Sequence, residues 1–204
     1  GSAASNYGSP QCIIEAIEAA GADAVYCGYG FLSESPEFAS LCQQHGITLI
    51  GPEPEILDRC RNKLQCFQKA SFLGIPTPEH SEPLVSEGDM YEKAQQIGYP
   101  VLLKPVAGTG GRHIHKAYRR EDLHQSRIQL QREYGQRDIS TPYYLEQYIR
   151  RALHVEFPVL ADRFGNVVQL GERECVVQRR FQKLISVTPS VWLAPALRQN
   201  LAEA

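Results

Sequence analysis

Residues 101–116 read VLLKPVAGTGGRHIHK, in which a short apolar run ends in Lys104 and is followed by a loop rich in glycine. Residues 101–104 have the composition of a buried strand. The short extended segment 112–116 after the loop is typical of a second strand and not of a helix. This order excludes a Walker phosphate loop and a dinucleotide-binding fingerprint, because in both of them the glycine loop opens a helix.

A glycine loop between two antiparallel strands can instead act as a flap over a ligand. Because glycine has no Cβ atom, the N–H groups of such a loop can approach phosphate oxygens closely, and Lys104 would add a positive charge there. The same residues also fit an ordinary glycine hairpin beside a solvated lysine. At this point of the chain both interpretations stay open.

A second polar segment begins at residue 144 with YLEQYI and continues to His154-Val155-Glu156. A strand that ends in this way can offer backbone C=O and N–H groups to the edge of an adenine base. An imidazole and a carboxylate then lie a few residues further on, where they can reach ribose or phosphate. Taken alone, these residues fit an ordinary strand end with a partly buried His154 better.

The N-terminal third alternates helix and strand. Ser9-Pro10 is typical of a helix start, and the predicted order is a helix to Gly21, a strand over 23–26, a helix over 36–44 and a strand over 47–50. Such an αβαβ order predicts a parallel sheet with helices on both faces. Residues 1–5 are expected to be a flexible lead, and an earlier βα portion is expected to precede the chain.

A proline-rich stretch over 75–83 is predicted to be a domain boundary, because proline stiffens the backbone without building a core. We predict domains over 6–74, 84–150 and 151–204. The other predicted elements are helices over 54–60, 62–73, 88–97 and 120–134, strands over 143–147, 155–161 and 166–170, a basic strand or loop over 178–185, and a helix from about 194.

Composition limits the possible functions. The chain has 204 residues and a net charge of −2, so it carries no overall basic field that would attract nucleic acid. No apolar run approaches the roughly 20 residues that a membrane helix needs, so no membrane association is expected. Six cysteines without any CxxC pair indicate reduced, mostly buried thiols and neither a zinc site nor a disulfide framework.

Several segments, in this order along the chain, resemble biotin carboxylase. The most specific is GYGFLSE at residues 28–34, and the others are Ile50-Gly51-Pro52, Gly98-Tyr99-Pro100-Val101, His154-Val155-Glu156, Glu172-Arg173 and Gln182-Lys183. The resemblance implies an α/β ATP-grasp fold. It assigns 6–74 to a truncated Rossmann-like N-terminal domain, 84–150 to a mobile α+β lid, and 151–204 to the start of the C-terminal ATP-grasp subdomain.

The same resemblance implies roles for individual residues. Lys63 and Lys104 match the lysines that bind the phosphates of ATP, and Gly110 and Gly111 match the lid amides above them. Glu146, Gln147 and Ile149 match the adenine-binding hinge, and His154 and Gln178 match further nucleotide contacts. Lys183 matches the catalytic lysine that holds bicarbonate.

The implied reaction is the attack of bicarbonate on the γ-phosphate of ATP, which gives carboxyphosphate and then carboxylated biotin. The implied cofactors are ATP, Mg²⁺ and biotin as the carboxyl acceptor. A biotin carboxyl carrier domain, a carboxyltransferase and a second copy of the protein are the implied partners, in the cytoplasm or the mitochondrial matrix. In this family the magnesium ligands come from a later segment, so this chain is expected to lack complete catalytic machinery.

Four of the positions that depart from the family pattern lie in the glycine loop and near Lys183. Phe181 replaces a histidine, Ser186-Val187 replace two glutamates, and His113 replaces a glycine of the loop. Two hypotheses therefore stay open: part of a working biotin carboxylase, which we rank first, or a degenerate relative that serves nucleotide sensing or protein docking without turnover.

Overall fold

The computed structural model describes residues 3–107, 113–134, 142–179 and 182–203. The chain divides into two compact units, Gly1–Lys69 and Ala70–Ala204. Within these described ranges, no helix is both long enough and apolar enough to cross a membrane.

The first unit has the predicted alternation of helix and strand. Its elements are α1 (Ala3–Tyr7), α2 (Pro10–Ala20), β1 (Ala24–Val25), α3 (Pro36–Gln44), β2 (Thr48–Leu49), α4 (Pro54–Arg61) and the start of α5 (Lys63–Phe72), which continues into the second unit. Strands β1 and β2 are parallel, which confirms that prediction. The expected flexible lead is wrong in part, because α1 begins at Ala3.

Local capping fixes the first two long helices. The Ser9 side chain accepts a hydrogen bond from the Cys12 N–H at the start of α2, and Gly21 ends that helix in the left-handed conformation. Ser35 caps α3 in the same way through the N–H of Phe38. The core of this unit is apolar and includes the fully buried side chains of Ile14, Phe38 and Cys42.

The second unit begins with an α+β layer. Its elements are α6 (Glu87–Ile97), β3 (Val101–Pro105), β4 (His115–Ala117), α7 (Arg120–Tyr134) and β5 (Tyr143–Gln147). The strands form an antiparallel sheet in the order β4-β3-β5, as the glycine-loop argument predicts for β3 and β4. A capping box starts α6: Ser86 accepts from the N–H of Asp89, whose carboxylate accepts from the N–H of Val85.

Among the described residues, the helices of this layer share one core cluster with one face of the sheet. Val101 and Leu103 of β3 are 0% and 1% exposed. They pack in one cluster with Met90 of α6, Leu123 of α7 and Leu145 of β5. Because side chains alternate along a strand, Leu102 and Lys104 lie on the opposite face. That second face is where the polar residues of the candidate site collect.

The remainder of the second unit is largely antiparallel. It contains β6 (Val155–Glu156), β7 (Val159–Ala161), β8 (Val167–Gln169), β9 (Arg173–Arg179), β10 (Gln182–Val187) and α8 (Pro195–Glu203). A sheet of order β10-β9-β6 lies beside a separate β7-β8 hairpin. Four apolar side chains of that hairpin, Val159, Leu160, Val167 and Val168, are between 52% and 63% exposed.

Two strand predictions for this region are wrong. The single strand over 155–161 is two strands, interrupted at Phe157-Pro158, where proline has no N–H for a ladder. The single basic strand over 178–185 is divided between β9 and β10, which pair with each other as a hairpin. All six cysteines are free, but Cys12 and Cys60 are exposed, so the expectation of mostly buried thiols does not hold for them.

A polar cluster joins the surfaces of α6 and α7. The Glu87 carboxylate accepts from the Tyr91 hydroxyl at 2.6 Å, lies 3.0 Å from Nδ1 of His124 and pairs with Arg127 at 2.7 Å. The hydrogen bonds from Tyr91 and His124, followed by the charge of Arg127, hold the pKa of Glu87 below its ordinary value.

This cluster should make the packing of α6 on α7 dependent on pH. Because folding lowers the pKa of Glu87, its stabilising contribution is present at neutral pH. It is lost as the pH falls from the ordinary glutamate pKa through the lower folded pKa. We expect Glu87→Gln to speed hydrogen exchange of the α6 and α7 amides at pH 7 and to change it little at acidic pH. Mass spectrometry with Glu92→Gln on the same helix as control tests this, and equal effects of the two substitutions would contradict it.

Candidate functional site

Lys104 and Glu146 meet on the sheet face opposite the helices. Lys104 lies on β3 and Glu146 on the neighbouring strand β5, where Leu102 is its register partner. The Lys104 Nζ atom donates to Glu146 Oε2 at 2.8 Å, and the two side chains are only 14% and 11% exposed. The Tyr144 hydroxyl donates to the same carboxylate oxygen at 2.8 Å.

This arrangement neutralises the lysine in a partly desolvated place. A carboxylate that accepts from an ammonium and a hydroxyl is well satisfied, so an anionic ligand must compete with Glu146 for the Lys104 ammonium. The Nζ atom also lies 5.8 Å from the centroid of the Tyr144 ring. An anionic ligand would therefore have to offer Lys104 a stronger partner than one carboxylate.

Residues 146–149, at the end of β5, form a segment that we call the hinge. The Gln147 N–H donates to the Glu79 carbonyl at 2.8 Å, and the Tyr148 N–H donates to the Pro100 carbonyl at 3.0 Å. Ile149 is 53% exposed. The backbone of the hinge is thus fixed from two sides while its last residue faces solvent.

A second group of polar side chains lies on the β10-β9-β6 sheet. Glu156 of β6 is the register partner of Arg173 on β9 and accepts from its Nε atom at 2.5 Å. The Lys183 ammonium of β10 donates to the other oxygen of the same carboxylate. Nearby, the Gln178 amide lies 2.7 Å from Nδ1 of His154.

Two cations therefore share one carboxylate. Burial acts to raise the pKa of Glu156, but hydrogen bonds and charges from Lys183 and Arg173 outweigh it, and the pKa lies below its ordinary value. The group keeps a net positive charge at neutral pH, because Glu156 offsets only one of the two cations. Its chemistry is that of a site for a small anion or a phosphate.

His154, Glu156 and Cys175 bring their potential ligand atoms within 4.8 Å of one another, which is close enough for a metal ion. Both oxygens of Glu156 are already engaged by Arg173 and Lys183, however. A divalent cation would have to displace those cations or lie beside them, and the electrostatics favour an anion instead.

The structure thus distributes the predicted site residues over three places. Lys104, Glu146, Gln147 and Ile149 belong to the β4-β3-β5 sheet and its hinge, and His154, Gln178 and Lys183 belong to the β10-β9-β6 sheet and its approach. Lys63 is the first residue of α5, in the first unit. Gly110 and Gly111 lie outside the described residues.

The sequence analysis named Glu156 only as a carboxylate that can reach ribose or phosphate, and it did not assign Tyr144 or Arg173 to a site. Tyr144 has a signal in the sequence, because it lies two residues before Glu146 and the two therefore share a face of β5. The partner of Glu156 lies on another strand, and register alone identifies Arg173.

One departure from the family pattern is visible in the same sheet. Ser186 of β10 places its hydroxyl 3.8 Å from the sulfur of Cys175 on β9. A serine there adds no charge, so the two cations near Glu156 meet no further carboxylate at this position. The other departure at this hairpin, Phe181, lies outside the described residues.

Comparisons with known proteins give consistent results. A family model described as carbamoyl-phosphate synthase L chain, ATP binding domain, matches residues 62–204, and one described as biotin carboxylase, N-terminal domain, matches residues 1–57. A biotin carboxylase of Nostoc sp. is 40% identical over 94% of the chain. The 2-oxoglutarate carboxylase small subunit of Hydrogenobacter thermophilus is 38% identical over 95%. The chain spans 43% and 41% of these relatives, about two fifths of their length.

Solved structures agree with the sequence comparison. A biotin carboxylase of Campylobacter jejuni in complex with β-γ-ATP superposes with a TM-score of 0.91 at 37% identity, covering 99% of this chain and 45% of that one. The biotin carboxylase domain dimer of the Hydrogenobacter thermophilus enzyme, in complex with MgADP, ADP and bicarbonate, gives a TM-score of 0.88 at 37% identity. That match covers 95% of this chain and 43% of that one.

The Lys104–Glu146 pair should be strongly coupled in stability. Glu146→Gln leaves a mostly buried ammonium without its counter-charge, and we expect it to cost about 2–4 kcal/mol of unfolding free energy. In the Lys104→Met/Glu146→Gln double variant the loss should be smaller than the sum of the single losses. Urea unfolding in a double-mutant cycle measures this, with the exposed pair of Arg119 and Glu121 as the control, whose coupling should be near zero. Additive losses for Lys104 and Glu146 would contradict the interaction.

Proposed function

The chain belongs to the biotin carboxylase family, and we propose from this that it carries part of the ATP site of an enzyme that carboxylates biotin with ATP and bicarbonate. The reaction is proposed to run through carboxyphosphate. The observation that carries this proposal is the sheet face that places the partly buried Lys104 beside the hinge. A phosphate-binding cation and a segment suited to a nucleobase are thereby presented by the same strand pair.

The proposed roles follow from the chemistry of each group. Lys104 is proposed to bind phosphate oxygens, and the resemblance extends this role to Lys63 and to the amides of Gly110 and Gly111. The hinge, through Glu146, Gln147 and Ile149, contacts adenine, and His154 and Gln178 contact the rest of the nucleotide. This chemistry depends on positioning and on neutralising charge more than on covalent participation by the protein, which is why cations and amides predominate.

Lys183 is the proposed bicarbonate-binding residue. Its ammonium is held by Glu156, and Arg173 holds the other oxygen of that carboxylate. The lysine is therefore oriented before any ligand arrives, and the net positive charge of the group suits an anion the size of bicarbonate. The solved structure of the related biotin carboxylase domain from Hydrogenobacter thermophilus contains a bicarbonate anion together with MgADP.

Mg²⁺ would offset the negative charge of the phosphates in such a reaction. The two carboxylates of the described site do not fit a magnesium site, because Glu146 and Glu156 are both committed to lysine. We propose that the magnesium ligands belong to the part of the family's length that this chain does not span, and that the chain alone binds nucleotide without completing turnover.

A biotin carboxyl carrier domain, a carboxyltransferase and a second copy of the protein are the proposed partners. Nothing in the charge of this chain, which is −2, suits it to nucleic acid.

Ser186 supports the alternative of a degenerate module that senses nucleotide or docks a protein. Its hydroxyl lies near the sulfur of Cys175 at a position where the family pattern has a glutamate. A loss of one acid beside Lys183 alters the electrostatics that a catalytic site must control. We rank this second, because the Lys104–Glu146 pair and the hinge are both intact.

Calorimetric titration of ATP and ADP, with and without Mg²⁺, tests the proposed site. We expect the wild-type chain to bind both nucleotides. Lys104→Met should lower the affinity for each of them by about tenfold or more, since a charge-assisted hydrogen bond to phosphate is lost. The Lys104→Met/Glu146→Gln variant serves as a second form in which no buried carboxylate is left without a partner.

The outcomes separate the two functions. Equal affinities of wild type and Lys104→Met would remove Lys104 from the site. Absence of heat with every form of a folded chain would contradict nucleotide binding and favour the docking module.

A further inference from the structure

A cluster of cations and aromatic rings lies beside the hinge. The Lys116 ammonium of β4 is 4.0 Å from the centroid of the Tyr148 ring and 6.0 Å from that of Tyr118. The two rings meet edge to face, with centroids 6.4 Å apart and planes at 80°. Arg150 lies 5.6 Å from the Tyr118 ring on the same cluster.

Lys116 lies on the same sheet face as the Lys104–Glu146 pair. It is the register partner of Leu102, which is in turn the partner of Glu146. The two lysines differ in the partner of their ammonium charge. Lys104 is paired with a carboxylate, whereas Lys116 has no acidic partner in the part of the chain that the structure describes and faces tyrosine rings instead.

The contact with Tyr148 favours the charged form of the lysine. The interaction of its ammonium with the Tyr148 side chain is the main cause that raises the pKa of Lys116, against a smaller opposing effect of burial. At neutral pH the ammonium is therefore fully charged above the ring. A cation–π contact at this distance is attractive, and it favours one orientation of the ring beneath the ammonium.

Tyr148 is also the residue through which the hinge is fixed. Its N–H donates to Pro100, and the preceding Gln147 N–H donates to Glu79, so two backbone bonds set the path of the chain. Those bonds leave rotation of the Tyr148 side chain unconstrained. The ring is held by Lys116 over its face and by the edge-to-face contact with Tyr118.

We propose that Lys116 is a positioning residue for the nucleobase: by holding the Tyr148 ring it adds a side-chain restraint to the two backbone bonds of the hinge against which the base is read. This inference rests on the proposed function, because it takes the hinge as the place of the base. Lys116 acts here through Tyr148 and not as a phosphate ligand. The predicted consequence is that it contributes to affinity for ATP and not to affinity for the polyphosphate part of ATP alone.

Titration of ATP and of inorganic tripolyphosphate into wild-type chain, Lys116→Met and Lys116→Arg tests this inference. We expect Lys116→Met to lower the affinity for ATP about fivefold, which corresponds to about 1 kcal/mol, and to leave the affinity for tripolyphosphate unchanged. Lys116→Arg should restore ATP affinity, because a guanidinium can also lie over the ring. Arg150→Met, which removes a cation from the same cluster but not from Tyr148, is the matched control and should change neither affinity.

A measurement without ligand completes the test. Hydrogen exchange of the peptide covering residues 143–149 should be faster in Lys116→Met than in wild type, while exchange across β9 stays the same. A parallel loss of tripolyphosphate and ATP affinity would make Lys116 an anion ligand and overturn the inference. Unchanged ATP affinity, or unchanged exchange of the hinge, would overturn it as well. If wild-type chain binds tripolyphosphate but not ATP, or binds neither, the proposed nucleotide site itself is contradicted.

Discussion

The pairing of Lys104 with Glu146 is the interaction on which the candidate site depends. It joins two neighbouring strands on the polar face of a sheet whose other face is filled by α6 and α7, and it is more than four-fifths shielded from solvent. A ligand that recruits Lys104 leaves Glu146 with the Tyr144 hydroxyl as its remaining donor. The free energy of binding of an anion to Lys104 is therefore reduced by the free energy that is lost when the Lys104–Glu146 pair separates.

Much of the fold follows from local sequence, and the exceptions have physical causes. Helices α3 and α7 begin and end at the predicted residues. For α3 the cause is local, because Ser35 caps the helix and Pro36 is its first residue. The division of 155–161 at Pro158 and the β9-β10 hairpin depend on pairing between strands, which a single segment does not reveal.

The same distinction applies to the site. Lys104 and Glu146 stand out singly because of their positions next to a glycine loop and at a strand end. Their ion pair joins residues 42 positions apart and is set by the register of β3 with β5. The contacts of Glu156 with Arg173 and Lys183 depend on register in the same way. Sequence thus identifies the strands that carry the chemistry, whereas the choice of partner is a property of the folded sheet.

The β7-β8 hairpin has a practical consequence for the molecule. Its apolar side chains are presented to water on a short two-stranded ribbon, which has few neighbours of its own to cover them. Exposed apolar surfaces of this kind tend to associate with other apolar surfaces. The isolated chain is therefore expected to self-associate at high concentration. A low protein concentration or a mild detergent should reduce this association.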